Sequence, residues 1–92
     1  MISNVENAIT DRFFLAIEEL TERKVIRGLQ TFTKRHGINQ GNMATLKNNR
    51  TRYRIKAEHL AFIAGDYGVS CEWLLLGRGE MFVKGSPARF GK

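Results

Sequence analysis

The chain has 92 residues, 42% hydrophobic and 26% charged, a mixture that suits one soluble globular domain and leaves little room for a second. A domain of this length buries only about two thirds of the surface its unfolded chain exposes, which argues against a deep catalytic cleft, and a single cysteine, Cys71, excludes an internal disulfide. The formal net charge of +6 is unevenly placed, because residues 23–57 hold ten basic side chains and no acid while the remainder holds five basic against nine acidic.

In chain order, residues 11–21 put Phe13, Phe14, Ile17 and Leu20 at helical spacing behind Thr10 or Asp11 as a cap, with Val5 and Ile9 allowing a backward extension. Residues 22–28 read as a basic connection in which Val25, Ile26 and the following Leu29 need a place to pack. A short helix over 29–36 stops at Gly37, where glycine can take the left-handed conformation that ends a helix, and Ile38 plugs the turn. Asn39 caps a third helix running to about residue 48, with Met43 and Leu46 on one face. Residues 48–54 read as a loop. A fourth helix over 55–66 carries Leu60, Ile63, Ala64 and Tyr67 on its apolar side before Gly68. Ser70 caps a fifth through Trp73, Leu74, Leu75 and Leu76, ended by Gly77.

Segments 52–55 and 81–83 are too short to build a sheet. The expected fold is therefore all-α, a compact five-helix domain over residues 11–82, with an N-terminal extension over 1–10 and a tail over 83–92 that is mobile unless a partner orders it. No apolar run approaches the ~18 residues that span a bilayer, and no basic start precedes an apolar leader. The expected location is cytoplasmic.

An acid-free stretch of this size steers a chain toward a polyanion, since solubility alone is better served by mixed signs. The second and third helices, joined by a tight turn at Gly37, lie inside it. That is the order of a helix-turn-helix, whose second helix enters the DNA major groove. With Met43 and Leu46 inward at 100° per residue, Gly41, Ala44, Thr45 and Asn48 point away from the core, and Gln40, Asn42 and Lys47 lie on the flanks. Gln40 and Asn42 carry amides suited to adenine, and Thr45 offers a hydroxyl or a methyl to a base. Gly41 is either a tolerated surface glycine or a place of close approach to DNA. Arg50, Arg52 and Arg54 alternate with Thr51 and Tyr53, so an extended backbone would send the arginines to one side as a comb for phosphates. The acidic remainder of the chain is then expected to face solvent, turned away from the DNA.

Other residues read as structural. Trp73, with Leu74 and Leu76, suits a core better than a stacking platform. Tyr53 divides evenly between packing and phosphate hydrogen bonding. His36 and His59 have no carboxylate or cysteine at ligand spacing, so no metal is expected. Cys71 sits beside Glu72, which opposes thiolate formation, and reads as inert. With no phosphate-cradling glycine loop, no paired carboxylates in a cleft and no nucleophile beside a base, neither enzymatic activity nor a cofactor is expected.

The segment LQTFTKRHGINQGNMATLKNNR, residues 29–50, resembles the paired-helix core of the lambda-repressor-like (Cro-type, XRE) DNA-binding domains. Gly37 stands in the turn, Met43 and Leu46 at the apolar positions of the recognition helix, and Asn48, Asn49 and Arg50 at its polar exit. Farther on, YGVSCEWLLLGRGEMF is similar to the closing segment of phage-repressor-type members. The resemblance covers residues 12–82 and implies base reading at Gln40, Gly41 and Thr45; with Asn42 added from the helix geometry these are the candidate base readers, and Gln30, Lys47, Asn48, Arg50, Arg52 and Arg54 are the candidate phosphate contacts. Four positions depart from the family pattern. Leu29 stands where a phosphate-touching glutamine is common, Thr33 replaces an alanine at the helix crossing, His36 replaces an aliphatic residue, and Asn49 replaces a frequent glycine.

The function implied is a sequence-specific transcriptional regulator, a repressor, binding double-stranded DNA as a homodimer. Val5 and Ile9, or Phe82, Val83 and Phe90, are candidate dimer contacts. The alternative is an antitoxin-type interaction protein that masks a toxin through its N-terminal helix or C-terminal tail and autoregulates through DNA.

Overall fold

A computed structural model of the chain describes residues 4–83. It contains five α-helices: α1 (Asn4–Glu22), α2 (Leu29–Arg35), α3 (Gln40–Asn48), α4 (Ala57–Tyr67) and α5 (Cys71–Leu76). No strand occurs among the described residues. A lone antiparallel bridge joins Val69 to Phe82, with the Ser70 N–H donating to the Met81 carbonyl at 2.7 Å. Phe90 and the tail beyond Val83 lie outside the described residues. No described helix is long and apolar enough to cross a membrane.

The first helix takes the backward extension and begins at Asn4. Thr10 is therefore not its cap. Its side chain is fully buried, and its hydroxyl donates to the Glu6 carbonyl one turn earlier at 3.0 Å, which satisfies a polar group inside the helix. The apolar face of α1 supplies Phe13, Phe14, Ala16, Ile17 and Leu20 to the core, where they meet Phe32 of α2, Met43 and Leu46 of α3, Ile63 and Tyr67 of α4 and Leu74 of α5. Phe13 lies at the centre, edge-on to Phe14 at 5.1 Å and to Phe32 at 5.5 Å between ring centroids, the geometry that aromatic quadrupoles favour.

Helix α1 and helix α2 end in the same hydrogen-bonded motif. After α1, the Lys24 N–H donates to the Thr21 carbonyl and the Val25 N–H to the Leu20 carbonyl, both at 3.0 Å. After α2, the Gly37 N–H reaches the Lys34 carbonyl and the Ile38 N–H the Thr33 carbonyl at 2.8 Å. Both are Schellman motifs, which require a left-handed residue after the cap. Gly37 supplies it at φ +66°, but at the end of α1 the residue is Lys24 at φ +64°. The basic connection thus has a defined shape, and it packs Ile26 into the core with Val25 and Leu29 against it.

Helix α4 starts at Ala57 rather than at residue 55, because Ile55 is buried ahead of it and Lys56 is extended at φ −85°, ψ 149°. Helix α5 has few backbone bonds of its own. The Ser70 Oγ accepts from the Trp73 N–H at 3.2 Å, and Arg12 of α1 donates through Nε to the Leu74 carbonyl at 2.7 Å and through Nη2 to the Leu75 carbonyl at 3.1 Å. A cation on the last carbonyls of a helix satisfies orphan acceptors and opposes the dipole there. Leu74 is buried and Trp73 packs against the core, but Leu76 is 60% exposed. Two residues at 100° each carry Leu76 to the far side of α5 from Leu74, so it is no part of the core.

His59 on α4 is 7% exposed. Burial pulls its pKa below the ordinary 6.5, with Glu58 opposing and Lys56 adding to the fall. The unfolded chain therefore takes up a proton at this residue first on acidification. The stability that neutral His59 supports is complete above 6.5 and is lost as the pH falls toward the folded-state value. Melting temperature measured against pH should fall over that window, and His59→Gln should flatten the slope. A separate expectation concerns Lys24. Replacing it with glycine removes the left-handed strain and should raise unfolding free energy by about 0.5–1 kcal/mol, read by denaturant titration; an unchanged midpoint would contradict the strain.

Candidate nucleic-acid interface

Helix α3 is built as an outward-facing element. Asn39 at its N-terminus is extended at φ −67°, ψ 119° and its Oδ1 accepts from the Asn42 N–H at 2.8 Å, the cap that asparagine makes best. A Cβ placed on Gly41 would lie 3.2 Å from that same Oδ1, so glycine here leaves the cap room. At the other end Asn49 sits at φ −137° and its Nδ2 donates to the Thr45 carbonyl at 2.9 Å. The residue that departs from a frequent glycine therefore needs no left-handed backbone, and its side chain closes the helix end instead.

Met43 and Leu46 anchor α3 to the core, as their spacing indicated. Gln40, Gly41, Asn42, Thr45, Lys47 and Asn48 are all exposed. Ala44 differs from its outward placement and is half-buried, lining a groove between α2 and α3. That groove is also lined by Arg27, Gln30 and Lys34 on the α2 side and by Gln40, Lys47 and Asn48 on the α3 side. Along the opposite flank of α3, a second groove brings Asn42 and Thr45 together with Tyr53, Arg54, Lys56, Glu58 and His59, so this flank carries one carboxylate.

The crossing of α2 and α3 is polar at one point. Thr33, 2% exposed, donates its hydroxyl to the Gln40 Oε1 at 2.7 Å, and lies 3.0 Å from the Gln30 carbonyl. His36 is not loose in its position: its ring stacks on Phe62 at 4.5 Å and contacts Phe32 at 4.9 Å, with Nε2 3.6 Å from the Asp66 carboxylate. Leu29 packs against the core and offers no polar group.

The arginine comb does not form. The Arg52 and Tyr53 N–H groups both donate to the Asn49 carbonyl, at 3.0 and 3.1 Å, which curls the loop into turns and breaks the alternation that an extended chain would give. Arg50 points back to α1. Its Nη1 donates to Asp11 at 2.9 Å, its Nε to the Lys47 carbonyl at 3.0 Å, and its guanidinium lies 4.6 Å from the Phe14 ring centroid. Arg54 faces Glu6 at 3.6 Å. Arg52 is exposed and makes no ion pair among the described residues. So the acids of α1 are not all turned away from the basic face, because Asp11 and Glu6 reach two of the three arginines.

Arg27 and Lys34 occupy places beside α3 that sequence patterning did not single out. The signal was present in the acid-free run, but the spacing alone does not say which of its ten cations face one groove. No group of three His, Cys, Asp or Glu that could hold a metal occurs among the described residues. No family model, curated protein or solved structure matches the chain.

Two arginines of the same loop should now behave differently. Arg50→Ala removes an ion pair worth up to about 1 kcal/mol and a ring contact of about 0.5–1 kcal/mol, so unfolding free energy should fall by roughly 0.5–2 kcal/mol. Arg52→Ala should leave it within about 0.5 kcal/mol of the parent. Equal stability of the two variants in urea would contradict the placement of Arg50.

Proposed function

We propose that the chain is a sequence-specific DNA-binding transcriptional regulator of the lambda-repressor-like type, a repressor that docks α3 in the major groove of an operator. The observation that carries this reading is the surface of α3. Exposed amide, hydroxyl and glycine positions on α3 adjoin the groove it forms with α2, which Arg27 and Lys34 line from one side and Lys47 from the other with no carboxylate in it. Neutral polar groups on a helix can address base edges, which supply sequence information, and flanking cations address phosphates, which supply orientation. The α2, turn and α3 arrangement then serves as a helix-turn-helix.

In this reading Gln40, Asn42 and Thr45 read bases and Gly41 allows close approach. Lys47, Asn48, Gln30 and Arg52 meet phosphate, joined by Arg27 and Lys34. Arg54 can join them by giving up its 3.6 Å contact with Glu6. Arg50 acts on the site through structure, holding the loop on α1.

One α3 reads only a few base pairs, so two copies on half-sites one helical turn apart multiply affinity. Val5 and Leu15 on α1, Leu75 and Leu76 on α5, and Val83 beyond it are exposed and offer apolar surface to such a dimer, while Ile9 and Phe82 are already packed on the core. Repression by occupancy needs neither cofactor nor catalysis.

The test is selection of bound duplexes from a random pool. It should return an inverted pair of half-sites about 10 base pairs apart, centre to centre. Against that operator, Gln40→Ala or Thr45→Ala should each cost about 1–3 kcal/mol with non-specific binding nearly intact. Equal losses on operator and random DNA would remove both from base reading.

A further inference from the structure

The contact between Thr33 and Gln40 has a consequence for which base is read. A threonine hydroxyl carries one proton, and two acceptors lie within its reach: Gln40 Oε1 at 2.7 Å and the Gln30 carbonyl at 3.0 Å. The shorter distance is the usual one for an O–H···O bond and the longer is at its limit. The Gln30 carbonyl lies within α2, where the N–H four residues on serves it. The proton therefore goes to Gln40.

That bond orients an exposed amide. Thr33 is buried at the crossing and Gln40 is on the surface, so the oxygen end of the amide is turned inward to α2 and the nitrogen end is left outward. A free glutamine reads adenine by offering both ends at once, accepting from N6 and donating to N7. With one lone pair of its oxygen taken and that oxygen turned inward, the glutamine offers its N–H donors to the groove. The neighbours in the groove reinforce this, since Arg27, Lys34 and Lys47 are donors without acceptors.

We propose that Thr33 is a specificity-determining positioning residue that makes Gln40 a donor-only reader, so that the operator base beneath Gln40 presents acceptors, guanine first. Guanine shows O6 and N7 side by side in the major groove, whereas adenine shows one donor and one acceptor and cytosine a donor. This rests on the reading of α3 as a major-groove element. It explains why a threonine is useful at a crossing where the resembling family commonly has alanine.

The experiment is selection from a random DNA pool with the parent chain, followed by affinity measurement on duplexes varied at one position. The position read by Gln40 is the one whose preference disappears in Gln40→Ala. The parent should prefer guanine there. Thr33→Val removes the proton at similar volume and frees both ends of the amide, so the guanine-to-adenine affinity ratio should fall by about fivefold or more. Thr33→Ala, which fits the crossing without crowding, should do the same. Thr33→Ser keeps the hydroxyl and should retain the parent ratio, which a purely packing role for Thr33 would not require.

An adenine preference in the parent, or a ratio unchanged in both Thr33→Val and Thr33→Ala, overturns the proposal while leaving DNA reading by α3 intact. A pool that shows no enrichment at all overturns the DNA-binding reading itself, and this inference with it.

Discussion

The packing of α1 across the other helices is the constraint on which this molecule depends. Its aromatic pair, Phe13 and Phe14, faces both the interior and the basic loop. Phe13 meets Phe32 of α2 in the core, and Phe14 lies beneath the Arg50 guanidinium. One turn of the same helix also carries Arg12, which holds the carbonyls at the end of α5, and Asp11, which pairs with Arg50. Helices α2 and α5 are short, and short helices are marginal without tertiary partners. A single long helix therefore gives α2 and α5 their anchorage and fixes where the loop after α3 leaves the domain. The orientation of α3 follows from that frame, since Met43 and Leu46 are buried in the same core.

Charge is partitioned along the same lines. Two arginines of the loop are drawn toward carboxylates of α1, whereas Arg27, Lys34, Lys47 and Arg52 make no ion pair among the described residues. An ion pair at a surface contributes little to stability, but it decides which cations are available to an external anion and which must first be released. The field that a polyanion meets is thus set by the groove between α2 and α3 more than by the loop. Formal charge counted along the chain does not show this division.

Much of the fold was legible because its signals are local. The glycine stops at Gly37, Gly68 and Gly77, the caps at Asn39 and Ser70, and the spacing of apolar residues each act over a few residues, and α2 to α5 lie within about two residues of where those signals place them. What was not legible depended on distant partners. Thr10 looked like a cap, but its side chain is buried within a helix that continues past it. Leu76 looked apolar enough for a core, yet α5 turns it outward. Arg50, Arg52 and Arg54 alternated in sequence, but two hydrogen bonds to the Asn49 carbonyl curled the backbone. The hydroxyl of Thr33 meeting Gln40 joins residues on two helices, and no spacing rule anticipates it.

On the proposed function, the basic groove between α2 and α3, which no carboxylate lines, is an electrostatic docking surface for duplex DNA. It is tested most directly by the salt dependence of affinity. If each copy neutralises about five phosphates, with Arg27, Lys34, Lys47, Arg52 and Arg54 as the cations, a dimer releases the counterions of about ten. The logarithm of the binding constant should then fall against the logarithm of salt concentration with a slope of roughly −9. A slope near zero on duplex DNA would contradict the account.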